Sequence, residues 1–181
     1  MGIPSGYTSA QVVQAVPTGI NSALVLISST TIGNAVSSVT VSNAFSSTYD
    51  AYQIIVSGGV ASTDAGLTMH FGSTTTGYYF FQNYSFYNSS TLTIDNRNNQ
   101  SNFIAAAATT GGLYGNIFVN SPNLAKPTRF DLVRAVPLTN SLGGIVLGFE
   151  NSNTQHTAFT LTTTTGTVTG GTIRVYGYAN S

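Results

Sequence analysis

Apolar and polar residues alternate along residues 34–59, NAVSSVTVSNAFSSTYDAYQIIVSGG. Such alternation places the apolar side chains of each segment on one face, which is typical of a half-buried β-strand. Serine, threonine and aspartate interrupt the apolar pattern between positions 46 and 50, and no Asn-Gly or Asp-Gly pair is present. The stretch therefore predicts two core strands joined by a wide corner, and we expect Phe45 and Tyr49 to close the end of a sandwich. The apolar faces of the two strands are Ala35, Val39 and Val41, and Tyr52, Ile54 and Val56.

Further segments of this kind follow along the chain, with turn residues between them. Strands are predicted at 24–29, 35–41, 52–57, 67–71, 78–87, 91–94, 114–119, 130–136, 145–149, 158–164 and 167–178. The one competing segment is 103–109, whose alanines could support a helical turn but are too few for a long helix. About ten strands at this spacing indicate an all-β sandwich or barrel. We favour an antiparallel β-sandwich that is jelly-roll-like and carries a short N-terminal arm.

Residues 1–22 differ from the remainder, so we divide the chain into an N-terminal arm or short helix at 1–22 and a β-sandwich domain at 23–181. Thr8 and Gln11 have the spacing of a capping box, and the valines at 12, 13 and 16 would share one face of a short helix. An extended arm over residues 11–16 fits equally well. The segment lacks the basic and apolar regions of a secretory signal, and no apolar run approaches about 18 residues, so we expect no membrane partner.

Charged residues make up 6% of the chain, against about a quarter in an ordinary soluble domain. Five basic and five acidic residues give zero formal net charge, which leaves no electrostatic footprint for gripping a phosphate backbone. Nucleic acid is therefore not an expected partner. Since few charges can protect the strand edges, we expect these edges to be covered within an oligomer or a larger assembly. Cysteine is absent, which excludes disulfides and thiolate metal sites.

The carboxylates offer little catalytic chemistry. A glycosidase needs two carboxylates that face each other across a sugar, and Asp131 with Glu150 is the best candidate pair. Because Arg129 and Arg134 flank Asp131, we expect a structural ion pair there instead. The remaining carboxylates are those of Asp50, Asp64 and Asp95.

The histidines and the known motifs add no catalytic site. His70 and His156 belong to no metal-spaced cluster, and we expect each on a strand surface or at an interface. Calcium bound by Asp95 and neighbouring asparagine carbonyls is an alternative. We therefore expect a protein that is not an enzyme, with no catalytic residue, no cofactor and no metal.

The aromatic run GYYFFQNYSFY at 77–87 is more informative. Alternation puts one set of its rings on each face of a strand, so the two sets cannot easily share one core. Burial of both faces in a two-layer sandwich is one explanation. The other is an interface, because tyrosine offers a large contact area while its hydroxyl stays hydrated. The candidate interface or glycan contacts are Tyr78, Tyr79, Tyr84 and Tyr87.

Three segments resemble small β-rich virion proteins of tailed bacteriophages, in particular those of marine and cyanobacterial phages. The segments are AFSSTYDAYQIIVSGG, LTMHFGSTTTGYYF and TLTTTTGTVTGGTIRVYGYANS. Within them an F-S-x-x-Y sequence precedes an aliphatic strand, a Gly-Tyr-Tyr follows a strand, and a G-x-I-x-V-Y-G strand ends the similarity. The resemblance spans roughly residues 22 to 181, and it concerns the fold without identifying a site.

This resemblance implies a structural protein on the exterior of a phage particle, synthesised in the host cytoplasm. We expect a capsid decoration or cement protein that forms a homotrimer and contacts the major capsid protein or other virion proteins. The alternative is a receptor-binding tail fibre or tail tip protein that recognises host surface glycans. We further expect that a charge introduced at Ser38 or Gln53 impairs assembly if a subunit covers the polar face of the first two strands.

Overall fold

The computed structural model describes residues 24–136 and 141–180, and across these ranges it contains fourteen β-strands and no helix. The predicted all-β fold is therefore confirmed. The predicted N-terminal arm at 1–22 lies outside the described residues. The strands are β1 (Leu24–Thr31), β2 (Ser38–Val41), β3 (Ala51–Gly58), β4 (Val60–Ala61), β5 (Ala65–Phe71), β6 (Tyr78–Phe86), β7 (Thr93–Gln100), β8 (Phe103–Thr109), β9 (Gly112–Asn120), β10 (Thr128–Val136), β11 (Leu142–Glu150), β12 (Phe159–Thr163), β13 (Val168–Thr169) and β14 (Thr172–Tyr178).

Eight of these strands form a jelly roll. One layer has the order β1-β14-β3-β9, and the other has the order β2-β12-β5-β8, with all pairs antiparallel. The two layers join at one corner, where Ala107, Ala108 and Thr109 of β8 pair with the start of β9. This alternating use of two sheets along the chain is the arrangement of a jelly roll.

Four further strands extend the first layer. β10 pairs with the same edge of β9 that β8 uses, and β11, β6 and β7 follow in that order. The first layer is thereby widened to eight strands, β1-β14-β3-β9-β10-β11-β6-β7. We call β10, β11, β6 and β7 the extension.

The core lies between the two layers and is rich in aromatic rings. Phe103 of β8 stacks on Phe130 of β10 with ring centroids 3.6 Å apart. Phe71 of β5 contacts both rings, at 5.6 and 6.4 Å between centroids. All three side chains are buried, as the alternation of their strands requires. The expected plug at the end of the sandwich is present, since Phe45 is buried against Tyr52.

The topology decides three local points of the sequence analysis. The two strands within residues 34–59 do not pair with each other, because the wide corner carries the chain from one layer to the other. Residues 103–109 form a strand and not a helical turn, since neighbouring strands supply the hydrogen bonds that a short alanine run cannot supply alone. The segment 167–178 is divided into β13 and β14 by Gly170 and Gly171, both with positive φ.

The outer face of the second layer carries small polar side chains. The pairing of β2, β12 and β5 places these side chains side by side, and the Thr40 and Thr160 hydroxyl oxygens lie 2.9 Å apart. We call this surface the threonine-rich face. Its members are Ser38, Thr40, Thr68, His70, Thr160 and Thr162.

Candidate functional site

The outward side of the extension is apolar and exposed. Strand pairing aligns its side chains in rows, one of which runs from Val133 through Ile145 and Asn83 to Ile94. The side chain of Val133 is 74% exposed and that of Ile94 is 60% exposed. Exposed apolar side chains gathered on one surface indicate an interaction site, whereas single ones do not. We call this surface the apolar face. Its members are Tyr79, Phe81, Ile94, Val133, Ile145, Leu147 and Phe149.

A shallow depression of about 630 Å³ lies in the apolar face. Its floor includes Tyr79 and Phe149, whose rings stack with centroids 5.4 Å apart at 12°. Leu147, which is 47% exposed, lies in the neighbouring row beside Phe81. The depression therefore offers aromatic and aliphatic contact area together, the composition of an interface centre.

Charge on this surface comes from two side chains of β10 that have no ion-pair partner within the described part of the chain, Arg129 and Asp131. The predicted ion pair of Asp131 with the flanking arginines is therefore wrong. Arg134 is an odd number of residues from Asp131 and so lies on the opposite face of the strand. Burial raises the pKa of Asp131 above its usual value, because no cation offsets the loss of hydration.

The four predicted tyrosines do not form one site. Tyr78 is fully buried, where its hydroxyl accepts a hydrogen bond from the Phe71 N–H at 2.7 Å and donates one to the Thr74 carbonyl at 3.2 Å. Burial raises its pKa. The prediction that Tyr78 is an interface residue is wrong, because its side of β6 faces the core.

The other three tyrosines occupy three different surroundings. Tyr79 belongs to the apolar face, on the side of β6 opposite to Tyr78. Tyr87 follows the end of β6 and is 68% exposed. Tyr84 lies on the inward side of β6, where its ring meets Phe86 edge-on at 5.9 Å and lines a cleft that also contains Arg134.

Glu150 and His156 form a buried pair, with Nε2 and Oε2 3.1 Å apart, and Ser152 donates a hydrogen bond of 2.8 Å to the same carboxylate oxygen. The expectation of a surface or interface position for His156 is therefore wrong. His70 is partly buried on the threonine-rich face, and burial lowers its pKa. Asp131 and Glu150 lie on opposite faces of the extension, so they cannot face each other across one sugar.

The possible calcium ligand Asp95 is already engaged. Its carboxylate pairs with Arg97 at 2.7 Å and accepts a hydrogen bond from the Gln82 amide at 2.6 Å. These contacts lower the pKa of Asp95, and the side-chain hydrogen bond from Arg97 contributes most. Among residues 24–136 and 141–180 there is no cluster of three histidine or carboxylate side chains suited to a metal ion.

Sequence reasoning overlooked the main members of the apolar face in β10 and β11. The signal was present in FDLVRAV and GGIVLGF, where apolar residues occupy both alternating sets. Such runs indicate a strand with two covered faces. The structure covers one face of each strand and leaves Val133 and Leu147 on the other.

In the described ranges no helix is both long and apolar enough to cross a membrane. No family model, no curated protein and no solved structure matches this chain.

Proposed function

We propose that this chain is a non-enzymatic structural protein of a tailed bacteriophage particle, which decorates or cements the capsid through the apolar face. The observation that carries the proposal is the set of exposed apolar side chains on the extension, in a chain with only 6% charged residues. A cement protein needs complementary area with anchors near the centre of the contact, and the stacked rings of Tyr79 and Phe149 provide such anchors. The partners would be further copies of the chain, as a homotrimer, and the major capsid protein.

The energetic argument follows from the position of the apolar side chains. Val133, Leu147 and Ile94 remain largely exposed, so folding of the single chain recovers little of their transfer free energy. Association would bury them and would remove the aggregation hazard of an uncharged sheet face. Arg129 and Asp131 at this surface would give the contact a defined register, since each has an unpaired charge to offer.

The location of the chain on the particle is the first test. A label on this chain, observed by electron microscopy of intact particles, should lie over the head surface in many copies. Particles without the chain should lose infectivity faster on heating and osmotic shock. Heads that carry no label, or heads equally stable without the chain, would contradict the proposal.

The role of the apolar face is tested by Leu147→Arg, with Thr160→Arg as the matched control. Both variants add the same charge to an outward strand position, one on the apolar face and one on the threonine-rich face. Loss of a central contact costs about 2 kcal/mol or more, so incorporation of Leu147→Arg into particles should fall by roughly thirtyfold. Thr160→Arg should be incorporated as the unmodified chain is. If both variants melt at the temperature of the unmodified chain and are incorporated equally, the apolar face is excluded as the surface that contacts the particle.

The second candidate function is that of a receptor-binding tail fibre or tail tip protein that recognises host glycans. It is favoured by one observation, the cleft that contains Tyr84 and Arg134. On this alternative, the purified chain inhibits adsorption of particles to the host, and each particle carries it only at its tail. Labelled heads together with unchanged adsorption would decide against it.

A further inference from the structure

Arg134 is a substantially buried cation without an internal partner. Its Nε atom is buried and forms no hydrogen bond within the described residues. All five acidic side chains of the protein lie in the described ranges, and none of them forms an ion pair with Arg134. Burial lowers its pKa, and of its neighbours only Tyr84 opposes that shift. Since removing a charge from water costs free energy, arginines in such positions are normally paired with an acceptor.

The Arg134 side chain lines a cleft of about 290 Å³ where the inward side of the extension meets β5 and β8. One wall is aromatic and consists of Tyr84 and Phe86, whose rings meet at 90°. Gly66, Ile104 and Thr164 also line the cleft. The cleft therefore combines a cation with the surface of aromatic rings, and it is near the lower size limit of small-molecule sites.

Two further side chains of the cleft can bind hydroxyl groups. Gln82 uses its amide nitrogen on Asp95, at 2.6 Å, which leaves its amide oxygen as an acceptor. The Thr164 hydroxyl accepts a hydrogen bond from the Gly66 N–H at 3.1 Å and still has its own proton to donate. An acceptor and a donor thus lie in the same cleft as the guanidinium.

The charge of the cleft selects the class of anion. A guanidinium presents paired donors that match a carboxylate or a phosphate. Among the described residues that line this cleft Arg134 is the one basic side chain, so a single negative charge is balanced while a phosphate dianion is not. The aromatic rings of the cleft fit a ligand that has a ring with an apolar face, and the hydroxyl-binding groups fit a ligand with several hydroxyls.

We propose that this cleft binds a carboxylate-bearing sugar residue, with the carboxylate on Arg134, the ring against Tyr84 and Phe86, and hydroxyls on Gln82 and Thr164. The inference deepens the second candidate function by naming its ligand class. It can be tested on the isolated chain, so its failure is distinguishable from a wrong assignment of the chain to head or tail.

The experiment is a titration of the full chain with glucuronate, galacturonate and N-acetylneuraminate, followed by NMR chemical shifts and calorimetry. Glucose, galactose and acetate are the controls for the sugar ring and the carboxylate taken separately. At least one acidic sugar should saturate the site and bind roughly tenfold or more tightly than its neutral counterpart and than acetate, because a charge-assisted bidentate contact is lost without the carboxylate. No saturable binding, or equal binding of acetate, would overturn the proposal, as would tighter binding of a short acidic peptide.

Variants assign the binding to Arg134. Arg134→Met should weaken binding of the acidic sugar by roughly tenfold to a hundredfold, and Arg134→Lys should weaken it less, since lysine keeps the charge and loses the paired geometry. Arg129→Met removes the same charge from the apolar face and should leave binding unchanged. If Arg134→Met does not fold, Arg134→Lys still decides the matter. Unchanged affinity in the folded Arg134 variants would overturn the assignment.

Discussion

Both outer faces of the sandwich are formed by alternate residues of their strands, but the two faces differ in the type of these residues. On the threonine-rich face the outward residues of β2, β5 and β12 are small and polar, and Thr40 and Thr160 contact each other across the strands. On the apolar face the outward residues are aliphatic or aromatic, and Val133 and Leu147 remain exposed. Exposed apolar side chains gathered on one surface are typical of interaction sites, so the difference supports our proposal that a partner binds at the extension.

This comparison also separates two positions that sequence alone treats as equivalent. Ser38 lies on the threonine-rich face. Gln53 of β3 lies on the outward side of the other layer, next to Phe118, and its amide donates a hydrogen bond to the Asn116 side chain at 2.8 Å. A charge at either position is expected to impair assembly only if a subunit covers that face. Since Gln53 belongs to the layer that carries the apolar face, we expect the larger effect at Gln53.

The largest effect is a loss of stability that we expect from a substitution on the buried side of β10 and not from one on its exposed side. Phe130→Ala removes a buried ring that stacks on Phe103 and should lower the free energy of unfolding by about 3 to 5 kcal/mol. Val133→Ala, on the exposed side of β10, should change it by about 0.5 kcal/mol or less. Urea denaturation of the isolated chain measures both. A comparable loss in Val133→Ala would mean that the apolar face stabilises the single chain, which would remove the case for a partner.

The next effect tests the junction between the extension and the jelly roll. Glu150 ends β11, and His156 precedes β12 of the second layer, so their buried pair links the two regions. His156→Ala would leave the Glu150 carboxylate buried with only Ser152 as its hydrogen-bond donor, which should cost about 3 kcal/mol or more.

Hydrogen exchange would locate this loss. Faster exchange in β6 and β11 than in β1 and β14 is expected for His156→Ala, because the damage lies at the extension. The control is Ser152→Ala, which removes the hydroxyl that donates to Glu150 and keeps the His156 ring. It should lower the free energy of unfolding by about 1 kcal/mol. Uniform acceleration over all strands would mean that the two regions unfold as one unit.

The smallest effect concerns the unpaired charge of the apolar face. Burial raises the pKa of Asp131 above the usual 3.8, so the folded chain keeps this proton to a higher pH than the unfolded chain does. Stability is therefore lost as the pH rises from 3.8 through the raised pKa, and Asp131→Asn should abolish that loss. The variant should match the unmodified chain below pH 3.8 and exceed it at neutral pH, by about 0.5 kcal/mol or less. Thermal melts across this range measure the difference, and a less stable Asp131→Asn at neutral pH would show that the carboxylate has a favourable contact.

Most of the strands could be predicted because alternation is a local property of the chain. The segments at 24–29, 52–57 and 67–71 coincide with strands β1, β3 and β5 to within two residues at each end. The jelly-roll-like sandwich is likewise confirmed. The sequence left the conformation of 103–109 open because a run of alanine has no periodicity of its own, and the neighbouring β5 and β9 determine its conformation.

The candidate site was predicted only in part. Alternation separated the two sets of rings at 77–87 and put Tyr78 and Tyr79 on opposite faces of one strand, without deciding which face is buried. Which side faced the core depended on the second layer, which alternation in one strand does not contain. The ion pair expected at Asp131 was wrong because Arg134 projects to the opposite face of β10, and Arg129, on the same face, forms no ion pair with Asp131. The homotrimer and the virion location remain predictions.

The sequence by itself determined that the chain is built of antiparallel strands, that it carries few charges, and that its aromatic residues exceed what one face of a strand can bury. These properties follow from residue type and from a two-residue period, which act within a few positions of each other. Only the tertiary structure decided which alternating set of β10, β11 and β6 is covered, because the covered set is the one that faces the second layer. Val133 and Leu147 belong to the other set and remain exposed. Arg134 lies on the inward side, where the first layer is wider than the second, in a cleft to which none of the five acidic side chains contributes.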